Sequence, residues 1–328
     1  MDVATRKPKV IAVMLTHNRR DGAVRRCTEV LSQTRPVDGV VMVDNASTDE
    51  TSEAVARRFP RVEIVRLPEN LGPAGGFAAA FTEGMKRGCD FLWVLDDDVM
   101  ISRQCLAHLL EKAETAPMTV VYPTRLPPNE KHGVAWRGIL VPAEIVRAVG
   151  VPRADFFWHL EDTEYFLHRI VERGGFRRLI SEKAVVWHGT HRPRRGFPGW
   201  KLYYQTRNSV YYRFYLKTDL RGRVKTMARI LGRLVAIAIR EERGPTKAWM
   251  MLRGVKDGLL GRLGKTVDPR SEPPSTLYRE SATSMLQEEE EARRRWGDRL
   301  GFGPDPQARR LNGQGGLSAA SLSSDHAP

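Results

Sequence analysis

An apolar run that ends abruptly in three consecutive carboxylates occupies residues Phe91–Met100, FLWVLDDDVM. The Val, Leu and Trp residues predict a buried strand, and a buried strand cannot hide bare charges at its end. Asp96, Asp97 and Asp98 are therefore expected at the carboxyl edge of a sheet, where open α/β sheets place their ligands.

The three acids predict a metal site. Alternate side chains of a strand share a face, so Asp96 and Asp98 should point one way and Asp97 the other. Two oxygen ligands on one side suit Mg²⁺ or Mn²⁺ carrying a diphosphate. A loop of solvated acids is the alternative that this segment leaves open.

Strand and helix patterns alternate over the first half of the chain. Apolar runs predict strands, and helical spacing or cap residues predict the helices between them. The strands are Val10–Leu15, Val40–Val43, Val62–Leu67 and Phe91–Leu95, and the helices are Asp21–Gln33, Ser47 or Thr48 to about Arg58, and Gly76–Arg87. This order predicts an α/β fold with a parallel, doubly wound sheet.

Polar or glycine-rich clusters follow three of these strands: THNRR at 16–20, DNASTD at 44–49 and NLGPAGG at 70–76. Asp44 could accept a hydrogen bond from a base N–H, or it could be a turn or helix-cap acid. The glycines could let a ligand approach backbone N–H groups at a helix start, or they could form a simple turn. No GxGxxG and no GK[ST] occur here, so neither a dinucleotide-binding site nor a P-loop is expected.

Composition limits the class of protein. A chain of 328 residues can form one large or two modest domains. Its cysteines, Cys27, Cys89 and Cys105, lack metal-site spacing and predict reduced thiols in an intracellular protein. The first residues lack the apolar stretch of a signal peptide, and the apolar run Leu234–Ile239 is far shorter than the ~20 residues that span a bilayer.

Positive charge is concentrated in residues 192–265, which hold 19 Lys/Arg and 4 Asp/Glu although the whole chain has a net charge of +14. This block predicts a polyanionic partner, either nucleic acid or an anionic membrane surface, unless the basic charge is general to the proteome. Within it, Leu220–Ile239 has the spacing of a helix with one apolar and one basic face. Such a helix lies on a membrane or packs on the first domain.

The chain turns polar from about Thr266. Residues 311–328 have too little apolar content to pack and are expected to be disordered, with a charged helix at roughly Glu280–Trp296. We therefore expect three regions: a first domain at 1–191, a basic aromatic and helical extension at 192–265, and a largely disordered tail at 266–328.

The motifs at the strand ends resemble those of one known family. THNR, VDNASTDET, NLGPAGGF and WVLDDDV, in this order and at these spacings, are similar to the motifs of inverting glycosyltransferases of family 2. NLGPAGGF, EDTEYF and WHG resemble segments of bacterial galactofuranosyl- and rhamnosyltransferases of the cell envelope. The resemblance implies the GT-A fold, which is Rossmann-like with a mostly parallel sheet and flanking helices. The basic helical segment is then a C-terminal extension.

The resemblance implies a role for each motif residue in donor binding. The nucleotide would be lined by Thr16, Asn18 and Asp44, with Asp44 reading a pyrimidine base. The donor would also be bordered by Asn70, Gly72, Gly76, Asp96 and Asp97.

The resemblance also implies a metal site and a catalytic base. Asp96, Asp98 and His188 would hold Mn²⁺ or Mg²⁺, which stabilises the diphosphate that leaves when the glycosyl–phosphate bond breaks. His191 competes with His188 for that role. Asp162, at the start of a helical pattern, would deprotonate the acceptor hydroxyl.

Three residues near this base could bind the acceptor. Trp136 and Trp158 could stack on sugar faces or belong to the core. Glu161, like Asp162, could line the acceptor site or be an ordinary acid at a helix N-terminus.

These expectations together predict a metal-dependent inverting glycosyltransferase. Its donor would be a nucleotide sugar of the UDP-galactofuranose or dTDP-rhamnose type, and its acceptor a lipid-linked or cell-envelope glycan. We expect it in the cytoplasm, peripheral on the inner face of the cell membrane, without a nucleic-acid partner. The alternative is a non-catalytic protein with a GT-A-like domain that binds RNA or an anionic membrane.

Overall fold

The structure, a computed structural model, describes residues 6–127, 135–189, 197–217, 219–271, 287–297 and 300. An eight-stranded sheet has the strand order β3-β2-β1-β4-β7-β6-β8-β5. The strands are β1 (Val10–Thr16), β2 (Gly39–Asp44), β3 (Val62–Arg66), β4 (Phe91–Asp96), β5 (Met100–Ile101), β6 (Thr119–Leu126), β7 (Arg137–Pro142) and β8 (Arg177–Trp187).

Helices cover both faces of the sheet and form the C-terminal extension. The α-helices are α1 (Arg20–Leu31), α2 (Thr51–Arg58), α3 (Gly72–Met85), α4 (Cys105–Glu114), α5 (Ala143–Val149), α6 (Gly199–Tyr211), α7 (Leu220–Arg240), α8 (Gly244–Leu259) and α9 (287–297). Two π-helices span Thr163–Arg173 and Tyr212–Leu216, and short 3₁₀ turns span Ala154–Phe156 and Pro269–Ser271.

The predicted parallel sheet is confirmed for the first four strands, because β3, β2, β1 and β4 are all parallel. Strand β7 is antiparallel to β4 and β6, so the other half of the sheet is mixed. The first strand is apolar throughout because it is buried on both faces. Its Val10, Ala12 and Met14 pack on the side of α1 and α4, and its Ile11 and Val13 pack on the side of α3.

Two helix starts differ from the sequence prediction. Helix α2 begins at Thr51 and not after Ser47 or Thr48, because the Ser47 hydroxyl accepts a hydrogen bond from the Asn18 N–H at 2.9 Å. Helix α3 begins at Gly72 and not at Gly76, with a proline in its first turn, where proline is favoured.

The C-terminal extension packs on the first domain. The expected boundary before Thr266 falls inside packed structure, because Val267 is buried against Phe157, Tyr203 and Tyr204. The described part of the predicted charged helix is α9, in which Ala292 packs on the edge of the sheet, and residues 280–286 of that prediction lie outside the described residues. The predicted disorder of 311–328 lies outside the described residues. No described helix is long and apolar enough to cross a bilayer.

Candidate active site

Three loops meet where the parallel strands end. The register pairs Thr16 with Asp44 and Leu15 with Asp96, so the polar residues after β1, β2 and β4 share one edge of the sheet. This is the edge at which the sequence predicts a ligand site.

The acid triplet lies partly outside the strand. Strand β4 ends at Asp96, and the next two residues form a turn. Arg19 Nη1 lies 3.4 Å from Asp97 Oδ1 and 3.5 Å from Asp98 Oδ2. The expectation that Asp97 points away from Asp98 is therefore wrong, because strand alternation stops where the strand stops. The Thr16 hydroxyl donates to Asp97 Oδ2 at 2.7 Å.

His188 lies beside the triplet, at the end of β8. Its Nε2 is 3.5 Å from Asp98 Oδ2, and its Nδ1 is 2.8 Å from the Gly189 carbonyl oxygen. Because a carbonyl only accepts, Nδ1 carries the proton and Nε2 faces the carboxylate. Asp98 Oδ1 is buried and has no hydrogen-bond partner in the described part of the chain.

Burial and neighbouring charges shift the pKa values of the three carboxyl groups. Burial raises the pKa of Asp96, and Asp98 and Asp97 raise it further. Burial also raises the pKa of Asp97 to about 6, although Arg19 opposes this shift. Burial acts the same way on Asp98, but His188 holds the pKa of that carboxyl below its usual range.

The donor set fits a divalent cation only in part. The His188 imidazole lies beside Asp98 Oδ2, and the other oxygen of that carboxylate, Oδ1, has no partner among the described residues. A nitrogen and a carboxylate at one place suit Mn²⁺ or Mg²⁺. The Asp96 carboxylate accepts the Asp97 N–H at 3.1 Å. Over the described residues, no three His, Cys, Asp or Glu side chains are grouped closely enough to hold an ion.

The loops after β1 and β2 are tied together by Asn18, whose Oδ1 accepts the Thr48 N–H at 2.7 Å. Asp44 is fully buried and accepts from the Ser47 N–H at 2.8 Å and from the Ser52 hydroxyl. The structure thus gives Asp44 the role of a turn acid, and base recognition by Asp44 stays a prediction.

Asn45, which the sequence interpretation did not single out, joins the loops after β2 and β3. Its Nδ2 donates to Asn70 Oδ1 and to the Gly72 carbonyl, each at 3.1 Å. Gly72 has φ +68°, and a Cβ there would lie 2.1 Å from the Phe157 carbonyl oxygen. A Cβ on Gly76 would lie 2.3 Å from a Leu15 methyl carbon. Both glycines therefore serve close packing, and their contact with a donor stays a prediction.

Asp162 is half-buried and caps the π-helix Thr163–Arg173, accepting the Thr163 N–H at 2.5 Å.

Glu161 is only 8% exposed, and its Oε1 lies 3.5 Å from Trp136 Nε1. Trp136 is 4% exposed and stacks on Phe77 with a ring separation of 4.3 Å. The structure gives Trp136 the core role, because neither face of its ring is open to a sugar. Glu161 is likewise buried rather than displayed to an acceptor.

Trp158 is half-buried in an aromatic and cationic cluster. Its ring is 5.7 Å from that of Trp200, in an edge-to-face arrangement, and the Lys201 ammonium lies 5.2 Å from it. Of the aromatic residues predicted to bind the acceptor, Trp158 is the one whose surroundings leave part of the ring exposed.

Residues 11–186 match the model of glycosyl transferase family 2, and the chain belongs to this family. It is 30% identical to galactofuranosyltransferase GlfT1 of Mycolicibacterium smegmatis over 51% of this chain and 66% of that protein. It is 31% identical to the undecaprenyl-phosphate mannosyltransferase of Micrococcus luteus over 33% of this chain and 48% of that protein. The matches thus span less than two thirds of these relatives' lengths.

A solved structure supports the fold. The mannosyltransferase PcManGT from Pyrobaculum calidifontis, in complex with GDP-Man and Mn²⁺, superposes with a TM-score of 0.53 at 17% identity, covering 94% of this chain and 88% of that one. The predicted GT-A fold is confirmed, and the sheet is mostly parallel as expected, with antiparallel pairings at β7 and β5.

Proposed function

We propose that this protein is a metal-dependent inverting glycosyltransferase. It would move a sugar from a nucleotide-diphosphate donor, of the UDP-galactofuranose or dTDP-rhamnose type, to a lipid-linked or cell-envelope glycan acceptor. The observation that carries the proposal is the meeting of Asp98 and His188 at 3.5 Å beside the loops of β1 and β2. Two segments far apart in sequence bring a hard oxygen and an imidazole to one point.

The relatives support the transfer of a sugar and are consistent with several parts of this proposal. Galactofuranosyl and mannosyl transfer are named for two of them, an undecaprenyl-phosphate acceptor for one, and a nucleotide sugar with Mn²⁺ for the solved structure. Because residues 11–186 match a family of glycosyl transferases, a catalytic role is favoured over a non-catalytic protein that binds RNA or an anionic membrane.

The residues would divide the chemistry between metal binding and proton transfer. Asp98 and His188, with Asp96, would hold the divalent ion, which when bound neutralises charge on the leaving diphosphate. Asp162 would accept the proton of the acceptor hydroxyl as that oxygen attacks the anomeric carbon. Attack opposite the leaving group inverts the configuration at this carbon. Trp158 would offer its exposed ring to the acceptor.

We further propose that α7 lies on the anionic inner face of the cell membrane, which would bring the enzyme to a lipid-linked acceptor. Helix α7 buries only Thr226 and Ile237. Another face of α7 carries a strip of apolar side chains that are 48–76% exposed: Leu220, Val224, Leu231, Val235 and Ile239. Exposed Arg221, Lys225 and Arg229 border this strip, as in interfacial helices.

A donor panel tests the enzymatic proposal. Purified protein is incubated with UDP- and dTDP-sugars, with Mn²⁺, with Mg²⁺ or with EDTA, and nucleotide release is measured. We expect release from one nucleotide class that requires the metal. No release from any donor, with an acceptor extract present, would overturn the proposal.

A further inference from the structure

The segment that leads into Asp162 has an uncommon backbone. Phe157, His159 and Leu160 have φ values of 61°, 76° and 67°. Non-glycine residues in the left-handed region are strained and persist only where their surroundings fix them. Strained backbone of this kind is common where a loop must keep one conformation. The contacts that fix this segment therefore indicate its role.

One side of the segment touches the glycine-rich turn. The Phe157 carbonyl accepts the Ala74 N–H at 3.2 Å, and it is the same oxygen that leaves no room for a side chain on Gly72. The segment therefore links the predicted donor loop to Asp162, the predicted base.

The other side is held by Asn208 of α6, which is 0% exposed. Its Nδ2 donates to the carbonyl oxygens of Phe156 at 2.9 Å, Trp158 at 2.8 Å and His159 at 2.8 Å. The two amide hydrogens of Asn208 are thus shared among three backbone carbonyls in and beside the strained segment, and a buried carbonyl that loses its donor costs free energy.

Arg207, also 0% exposed, orients this amide. Its Nε donates to Asn208 Oδ1 at 2.8 Å, which turns the amide nitrogen toward the segment. Its Nη2 donates to the Phe156 carbonyl at 2.8 Å, and its Nη1 donates to the Gly264 carbonyl at 2.6 Å. The guanidinium lies 4.7 Å from the centre of the Tyr204 ring.

We propose that Asn208 and Arg207 are positioning residues that complete the active site from outside the family domain. They hold residues 156–160 so that Asp162 and the glycine-rich turn keep a fixed separation. Both lie beyond residue 186, where the family match ends, so the extension does more than contact a membrane or an acceptor. The kinetic consequence rests on the proposed transferase function, whereas the structural consequence does not.

The test compares Asn208→Leu, which keeps the size but removes the donor, with Lys247→Met. Lys247 is 2% exposed and pairs with Glu241 at 3.0 Å in the same extension, so its variant is a matched control for lost buried polar contacts. Hydrogen exchange is followed in peptides that cover 154–166, and kcat and KM for nucleotide release are measured for each protein.

We expect exchange in 154–166 to be about tenfold faster in Asn208→Leu and unchanged in Lys247→Met. We also expect kcat to fall about 10- to 100-fold in Asn208→Leu, with a smaller change in the donor KM, because the base is misplaced. If Asn208→Leu fails to fold, Asn208→Ser replaces it in the comparison with Lys247→Met. Serine is smaller and keeps one hydrogen-bond donor, so we expect changes in the same direction that are smaller in size.

Unchanged exchange in a folded Asn208 variant, or an equal response in Lys247→Met, would overturn the inference. If wild-type protein releases no nucleotide, the proposed function fails, and the exchange comparison still decides whether Asn208 fixes the segment.

Discussion

Asp162 occupies a position in which one carboxylate can have two roles. Its Oδ1 accepts the Thr163 N–H at 2.5 Å and the Thr163 hydroxyl at 3.1 Å, so the side chain is held at the helix start. An acid that is fixed in this way and half-exposed can receive a proton without moving. The helix-cap role and the base role are therefore compatible.

Replacing Asp162 with Asn separates these roles. Asn keeps the size and can still accept the Thr163 N–H, but it cannot take a proton. We expect sugar transfer to fall by about 10²- to 10⁴-fold while the donor dissociation constant stays within twofold. Transfer assays and calorimetric donor titration measure the two quantities. Transfer within a few-fold of wild type would remove Asp162 as the base.

Glu161 predicts a dependence of stability on pH. Burial, with the charge of Asp162 second, raises the pKa of Glu161 to about 8. Between the ordinary pKa of a glutamate and about 8, Glu161 is protonated in the folded state and ionised in the unfolded state. The contribution of Glu161 to the free energy of unfolding is therefore full below its ordinary pKa and is lost as the pH rises toward 8.

Glu161→Gln removes this titration. The free energy of unfolding of wild type should fall by up to about 1.4 kcal/mol per pH unit, relative to the Gln variant, across this window. Urea unfolding at pH 5, 6, 7 and 8 measures the difference. Parallel pH profiles for the two proteins would contradict the buried, protonated state of Glu161.

At the scale of elements, the turn into α3 depends on a glycine. Gly72→Ala should destabilise the protein by more than about 2 kcal/mol, because it adds a clash with the Phe157 carbonyl to the strain of a positive φ. Gly88 is a matched control, with φ +62° and no atom within 4 Å of a Cβ. Its alanine variant should lose only the backbone cost of about 1–2 kcal/mol. Equal losses in urea unfolding would refute the packing role of Gly72.

The sequence predicted the parallel half of the sheet well because its strands are continuous apolar runs buried on both faces. It did not predict the mixed half. Strand β5 is two residues long, and β8 is largely exposed along its first half, so neither carries a clear pattern. The direction of Asp97 was missed because the alternation of a strand was applied to Asp97 and Asp98, which follow the end of the strand and form a turn.

Side-chain partners far apart in sequence were beyond prediction. Arg19 belongs to the recognised THNR motif, yet its pairing with the acids depends on how two loops meet. Arg26 of α1 is fully buried and contacts Glu289 of α9 at 2.9 Å, across 263 positions. A single sequence holds no trace of such pairs, because each residue is common on helix surfaces.

At the scale of the whole molecule, the basic charge is arranged beside exposed apolar side chains on α7. We expect the protein to float with vesicles of anionic lipid at low salt and to be released at high salt, as screening weakens the attraction. The triple change Arg221→Gln, Lys225→Gln and Arg229→Gln should reduce binding by about 3 kcal/mol, near 1 kcal/mol per charge.

Arg57→Gln provides the control for this experiment. Arg57 is exposed on α2, and its loss should leave flotation unchanged if α7 is the contact surface. If the wild-type protein stays in the soluble fraction at every salt concentration, the membrane contact is excluded. The proposal of sugar transfer is not affected by that result.

The most direct measurement of the proposed site is metal-dependent nucleotide release by Asp98→Ala beside wild type, each titrated with Mn²⁺. We expect wild type to reach a plateau and the variant to stay at least about 10²-fold lower at every concentration, since the variant lacks the carboxylate that faces His188. Release by Asp98→Ala at the wild-type rate and with the wild-type Mn²⁺ requirement would contradict the account.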